Sequence, residues 1–134
     1  MTAIEREIVC VVCAKGCRAQ AWEGEDGSVQ VRGPLCRNGR DYVRLEFRDP
    51  RRIITTTVRV EGSGSRLPVR SRGPVPKGLL MECMREISGL IVSLPVHIED
   101  VLIADLLGTG QDLIASSEIT EASEPAWRAR PLPR

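Results

Sequence analysis

The chain has 134 residues, of which 42% are apolar and 3% are aromatic, and 19 basic residues against 18 acidic ones give a formal net charge of +1. This length fits one ordinary domain or two small lobes, with a core built mainly from Val, Ile and Leu. The near-neutral charge argues against a nucleic-acid-binding protein, and no apolar run approaches the roughly 20 residues of a membrane-spanning helix.

The N-terminal half begins with a cysteine-rich segment. The first ten residues are charged and lack the apolar middle of a secretory signal, so we expect a cytoplasmic protein without a membrane span. "IVCVVC" predicts a short strand that enters a turn, and "AQAWEGEDGSVQV" predicts a hairpin. "RNGRDYVRLEF" predicts a short helix that ends before Asp49-Pro50. We interpret residues 1–48 as a small metal-stapled lobe.

Residues 49–119 predict a β-rich lobe with one main helix. "RRIITTTVRVEG" is rich in β-branched residues, which favour strands. "PVPKGLLMECMREISGL" has apolar residues at helical spacing and predicts a helix over about residues 76–92. Residues 120–134 lack periodicity and predict a disordered tail. The expected fold class is therefore α+β.

Four of the five cysteines follow the spacing C-x2-C-x3-C-x18-C. They are Cys10, Cys13, Cys17 and Cys36. The three-plus-one spacing favours a [4Fe–4S] cluster, in which a compact loop supplies three ligands and a remote cysteine supplies the fourth. A structural zinc ion is the alternative, since zinc also accepts four thiolates. Disulfides are rare in the cytoplasm, and Cys83 is expected to be a core residue of the predicted helix.

Residues beside these cysteines suit a loop that wraps a cluster. Gly16 allows the positive φ that such a tight loop requires. Lys15 and Arg18 add positive charge beside a site of net negative charge. Together with Arg37, these residues are predicted to shape and tune the site. No catalytic set independent of the cysteines is visible, so we expect no enzymatic activity from the chain alone.

The segment "CVVCAKGC…GSVQVRGPLCRNGR…DPRRIITTTVR" resembles the N-terminal [4Fe–4S] module of molybdopterin oxidoreductases. The positions that match that module are Cys10, Cys13, Cys17, Cys36, Gly39, Arg40, Pro50 and Arg52. The gap before the last cysteine is shorter here, and Asn38 stands where that module has the lysine that links cluster to pterin. The chain also has no room for pterin-binding domains. The resemblance therefore implies a cluster without molybdenum.

Nearly the whole chain resembles a small family of uncharacterised bacterial and archaeal four-cysteine proteins. The matching stretches are "CVVCAKGC", "LCRNGRDY", "PRRIITTTVRV", "LPVRSRGPVPK" and "LPVHIEDVLIADLLGTGQDLIAS". Ala14 departs from the family's usual proline. Members of that family are commonly encoded beside an FAD-dependent glycerol-3-phosphate dehydrogenase and an NAD-linked flavin oxidoreductase. The resemblance thus implies an iron–sulfur electron-transfer or accessory subunit of a flavin-dependent complex. The alternative is a zinc-stapled interaction module without redox activity.

Overall fold

The computed structural model describes residues 4–121 and shows an α+β fold, which confirms the predicted fold class. The chain divides into two compact units, an N-terminal unit that ends at Arg51 and a C-terminal unit that begins at Arg52. Most of the predicted disordered tail, from residue 122 onward, lies outside the described residues. Within residues 4–121, no helix combines the length and the apolar character needed to cross a membrane.

The N-terminal unit consists of a three-stranded antiparallel sheet and one helix. Its strands are β1 (Arg6–Val9), β2 (Arg18–Glu23) and β3 (Val29–Arg32), in that spatial order. β2 and β3 form the predicted hairpin. Helix α1 (Arg37–Arg48) is the predicted short helix, and its last residue precedes Asp49-Pro50.

The core of the N-terminal unit is small. Helix α1 packs on the sheet, and only Ala19, Ala21 and Val43 are buried in the cluster between them. Partly buried residues such as Leu35 and Phe47 surround this cluster. Two alanines and one valine bury little apolar surface, so packing alone stabilises this unit weakly.

The C-terminal unit is built on a five-stranded sheet. Strand β4 (Arg51–Arg52) lies at the division between the units. The strands that follow are β5 (Thr55–Val60), β6 (Arg66–Ser71), β7 (Val75–Pro76), β8 (Ile91–Val92), β9 (Val101–Ile103) and β10 (Leu113–Ala115), and all of them except β7 belong to the five-stranded sheet. The sheet order is β8-β5-β6-β10-β9, and only the β5–β8 pair is parallel.

Helix α2 (Leu80–Ser88) is shorter than the predicted helix over residues 76–92. Pro76 has an extended ψ of 129° and belongs to β7, and a 3-10 turn over Lys77–Leu79 leads into the helix. At the other end, Ile91–Val92 forms β8 beside β5. Pairing with β5 and burial of Val92 at 7% exposure outweigh the helical spacing of these apolar residues.

The core of the C-terminal unit is larger and apolar. Leu67, Leu106, Leu113 and Cys83 have no exposed surface. Ser71 is the one buried polar residue among the described residues, and its Oγ accepts a hydrogen bond from the Ile54 N–H at 3.0 Å. The predicted core position of Cys83 is confirmed.

Candidate metal centre

Three of the four cysteines lie in the turn between β1 and β2. The register of that hairpin pairs Val9 with Arg18, so the next pair outward is Cys10 and Cys17. The Cys10 N–H donates to the Cys17 carbonyl at 2.8 Å, which continues the ladder beyond the strands. Cys13 is exposed near the tip of the turn.

Sheet alternation places Cys10 and Cys17 on the face that carries α1. Opposed residues of an antiparallel pair project from the same face, and so do residues two apart along a strand. Cys17 therefore shares a face with Ala19 and Ala21, which are buried in the cluster that includes Val43 of α1. Cys10 is only 5% exposed.

Cys36 arrives at this region from a separate segment. It is the N-cap residue of α1, with extended backbone at φ −74° and ψ 175°. Its carbonyl accepts the Arg40 N–H at 3.0 Å, and its side chain is exposed. The first turn of α1 contains no acidic residue, so the partial positive charge at this helix end has no carboxylate beside it.

The four cysteines line one cavity of about 220 Å³. The cavity walls consist of Cys10, Val12, Cys13, Lys15, Cys17, Pro34, Leu35, Cys36, Asn38 and Gly39. The lining contains no histidine and no carboxylate. Its main metal-binding donors are therefore the four thiols, and the Asn38 amide is a weaker one.

Two glycines allow the chain segments around this cavity to approach each other. Gly33 has φ +152°, and a Cβ atom there would lie 2.8 Å from the Arg18 carbonyl oxygen. This close approach carries the chain past β2 toward Cys36. Gly39 lies in α1, where a Cβ atom would be 3.3 Å from the Cys10 Sγ atom.

The residue types in this cavity fit a metal centre. Four thiols form a complete ligand set for a tetrahedral zinc ion or for a cubane cluster. Among residues 4–121, however, no three His, Cys, Asp or Glu side chains are gathered tightly enough to hold a metal ion. The thiols share the walls of one cavity, and ligation would require them to move closer together.

The predicted tuning residues occupy different positions. Lys15 lines the cavity, whereas Gly16, Arg18 and Arg37 are not part of its lining. Gly16 has the positive φ expected of it, at +62°. Arg18 forms an ion pair with Glu7 at 2.7 Å. Of the predicted cations, Lys15 alone is placed to act on the cavity directly.

Several lining residues were not identified from the sequence as part of the site. Val12, Pro34 and Leu35 form its apolar wall, and Gly33 directs the chain toward it. The one sequence signal for these residues was the Gly-Pro pair in "RGPLC". Such a pair indicates a turn, but it does not indicate which residues the turn contacts.

Comparisons with known proteins show what this chain is similar to. No curated protein matches it. The NMR structure of the Clostridium perfringens protein CPE0013 is similar, with 28% sequence identity and a TM-score of 0.49, over 56% of this chain and 91% of that one. A family model described as "Protein of unknown function (DUF1667)" matches residues 37–117, a range that begins just after Cys36 and contains none of the four cysteines. Because this match spans more than half of the sequence, the chain belongs to the DUF1667 family of proteins of unknown function.

Proposed function

We propose that this protein is a non-catalytic iron–sulfur subunit that transfers electrons within a flavin-dependent oxidoreductase complex. The observation that carries the proposal is the convergence of Cys10, Cys13, Cys17 and Cys36 on one cavity, although Cys36 is far from the others in sequence. A donor set dominated by four thiols favours iron–sulfur clusters and zinc over metals that prefer oxygen or imidazole. The three-plus-one spacing favours the cluster.

The residues around the thiols have distinct parts in this proposal. Val12, Pro34 and Leu35 would place apolar surface beside the ligands, which lowers the local dielectric on that side, while Cys13 and Cys36 face solvent. Lys15 would offset negative charge on the thiolates. The first-turn amides of α1 would do the same at Cys36, because a helix N-terminus favours negative charge. When bound, a [4Fe–4S] cluster would supply one-electron transfer.

The proposed partners follow from the resemblance of this sequence to the family of four-cysteine proteins. They are an FAD-dependent dehydrogenase, such as one acting on glycerol 3-phosphate, and an NAD-linked flavin oxidoreductase. A subunit that exchanges single electrons would connect two flavins that each exchange electron pairs. A cytoplasmic location would keep the four thiols reduced and available as ligands.

Anaerobic purification followed by iron, sulfide and zinc analysis tests this function, together with EPR of the reduced protein. We expect iron and sulfide in stoichiometric amounts and a cluster signal after reduction. Cys17→Ser should lose most of the iron. Cys83→Ser, in the core of the other unit, should retain it and is the matched control. Stoichiometric zinc without iron would overturn the proposal.

A structural zinc ion is the second candidate. The observation that favours it is the small core of the N-terminal unit, whose apolar cluster has only Ala19, Ala21 and Val43 as buried members. Units of this size commonly require a metal or disulfides for stability. In that case the anaerobically purified protein would be colourless and would contain one zinc ion held by the same four cysteines.

A further inference from the structure

Cys10 and Cys17 are directly opposed across the β1–β2 hairpin. The Val9–Arg18 register and the 2.8 Å hydrogen bond from the Cys10 N–H to the Cys17 carbonyl define this pair. Opposed residues in a hydrogen-bonded antiparallel pair have Cα atoms about 5.5 Å apart. Disulfide-bonded cysteines have Cα atoms about 4.4–6.8 Å apart. The backbone therefore holds these two thiols within reach of each other and on the same face.

The other cysteines are placed differently. Cys13 is exposed near the tip of the turn and has no opposed cysteine. Cys36 begins α1 in another segment and is exposed. Cys83 is fully buried in the C-terminal unit. Cys10 and Cys17 are the pair that follows directly on the last ladder pair, Val9–Arg18, and one backbone hydrogen bond links them. All five cysteines are free thiols in this structure.

We propose that the metal-free protein closes a reversible disulfide between Cys10 and Cys17 when it meets a small-molecule disulfide such as glutathione disulfide. Cys17 is more accessible than Cys10, so its thiolate attacks glutathione disulfide and releases one glutathione. The Cys10 thiolate then attacks the Cys17 sulfur and releases the second glutathione. Two protein thiols become one disulfide, and the two electrons reduce glutathione disulfide to two glutathione molecules.

This disulfide is readily reduced. Opposed Cβ atoms in a sheet lie about 4.5–5.5 Å apart, toward the upper value in hydrogen-bonded pairs. A disulfide brings them to about 3.5–4.5 Å. The end of the hairpin must therefore tighten, and a strained disulfide has a more oxidising potential than a relaxed one. Closure also removes two of the four proposed ligands, so it blocks metal uptake; this consequence rests on the proposed function.

Thiol counting and peptide mapping test the pairing. The chelator-treated full chain is equilibrated with glutathione disulfide, alkylated and digested with trypsin. We expect the number of free thiols to fall from five to three. A cross-link should join peptide 7–15, which contains Cys10 and Cys13, to peptide 16–18, which contains Cys17. Cys13→Ser should retain this cross-link and Cys10→Ser should lose it.

Three results would overturn the pairing. They are no loss of thiols, a cross-link to peptide 33–37, which contains Cys36, or a cross-link that survives in Cys10→Ser. The same oxidation in urea is the control for the fold, because an unfolded chain should distribute disulfides among several cysteine pairs. An unchanged pairing in urea would also refute the claim that the hairpin register directs it.

Binding of Co²⁺ tests the consequence for metal uptake separately. The reduced chain should show the absorption of cobalt–thiolate bonds, the oxidised chain should lose it, and a thiol reductant should restore it. Equal Co²⁺ binding by the oxidised chain would refute the block on uptake. Failure of the reduced chain to bind Co²⁺ would count against the proposed metal centre, whereas the disulfide is decided by the mapping alone.

Discussion

Gly39 faces the sulfur of Cys10: a Cβ atom placed on this helical glycine would lie 3.3 Å from the Cys10 Sγ atom. The same Cβ would also lie 3.3 Å from Leu35 Cδ2, so the space is closed on two sides. The absence of a side chain at Gly39 therefore lets α1 approach a candidate ligand closely.

Gly39→Ala should weaken metal binding without unfolding the protein. Alanine favours a helix over glycine by about 0.5–1 kcal/mol, so helix α1 itself should not suffer. The added methyl group would displace the Cys10 sulfur, and changes next to ligands typically cost about 10-fold or more in metal affinity. Competition with a chromophoric chelator measures the affinity. Gly78→Ala, where a Cβ has open space, is the control, and equal affinities for the two variants would contradict this prediction.

Gly33→Ala should destabilise the N-terminal unit. Its φ of +152° is unfavourable for alanine, and the Cβ would lie 2.8 Å from the Arg18 carbonyl oxygen. We expect a loss of about 1–3 kcal/mol in the free energy of unfolding, measured by urea denaturation. Gly27→Ala is the matched control in the same unit, since Gly27 has φ +77° but only a Glu23 side-chain atom at 3.9 Å. A loss no larger than that of the control would refute the role of the close approach.

Ser71→Ala should destabilise the C-terminal unit by about 1–3 kcal/mol, because a buried donor would lose its partner. The Ile54 N–H donates to Ser71 Oγ at 3.0 Å, and Ser71 has no exposed surface. Chemical denaturation gives the change in free energy. Ser88→Ala removes an exposed hydroxyl hydrogen bond to the Arg85 carbonyl and should cost much less. Similar losses for both variants would be evidence against this account of Ser71.

The Cys83 thiol should make stability depend on pH in the alkaline range. Burial raises the pKa of this thiol above its ordinary value of 9.0, and the charges of Glu82 and Glu86 act in the same direction. The unfolded chain therefore releases this proton at lower pH than the folded chain. The free energy of unfolding should fall as pH rises from the ordinary pKa toward the raised one.

Comparison with Cys83→Ala isolates this effect, since the other titrating groups are common to both proteins. At neutral pH the variant should be less stable by roughly 1 kcal/mol because of lost packing. That difference should shrink as pH rises through about 9. A difference that does not change with pH, measured by urea denaturation at each pH, would show that the thiol does not titrate as its burial implies.

Removal of metal should destabilise the N-terminal unit much more than the C-terminal unit. The apolar cluster of the former has only three buried residues, whereas the latter has an extensive apolar core. Trp22 reports on the N-terminal unit, and Trp127→Phe removes the second tryptophan of the chain. With chelator, the Trp22 fluorescence transition should move to a lower urea concentration, while the urea concentration at which the buried Cys83 thiol becomes open to alkylation should change little. Coincident shifts of both signals would contradict this expectation.

Local sequence patterns predict the N-terminal unit well. Alternation in "AQAW" and "SVQV" predicts the β2–β3 hairpin, and the spacing of Tyr42, Val43 and Phe47 predicts α1. These patterns succeed because each element pairs with its neighbour in sequence. The position of Cys36 beside the cysteine turn depends instead on the close approach at Gly33, which no local pattern encodes.

The C-terminal unit shows where such patterns fail. Ile91 continues the apolar spacing of the helix, yet it belongs to β8, which pairs in parallel with β5 across about 30 intervening residues. Tertiary pairing of this kind overrides local preference. The order β8-β5-β6-β10-β9 likewise depends on contacts distant in sequence. A single sequence contains no direct signal for them.

Under the proposed function, the uneven distribution of the four cysteines along the chain would give metal capture an order in time. During synthesis, Cys10, Cys13 and Cys17 leave the ribosome before the β2–β3 hairpin and well before α1. A metal ion would therefore meet a three-thiol loop first. Because the fourth thiol lies at the beginning of α1, completion of the proposed site would coincide with docking of that helix on the sheet. Complete metal ligation would thus require that the nascent chain has folded as far as α1.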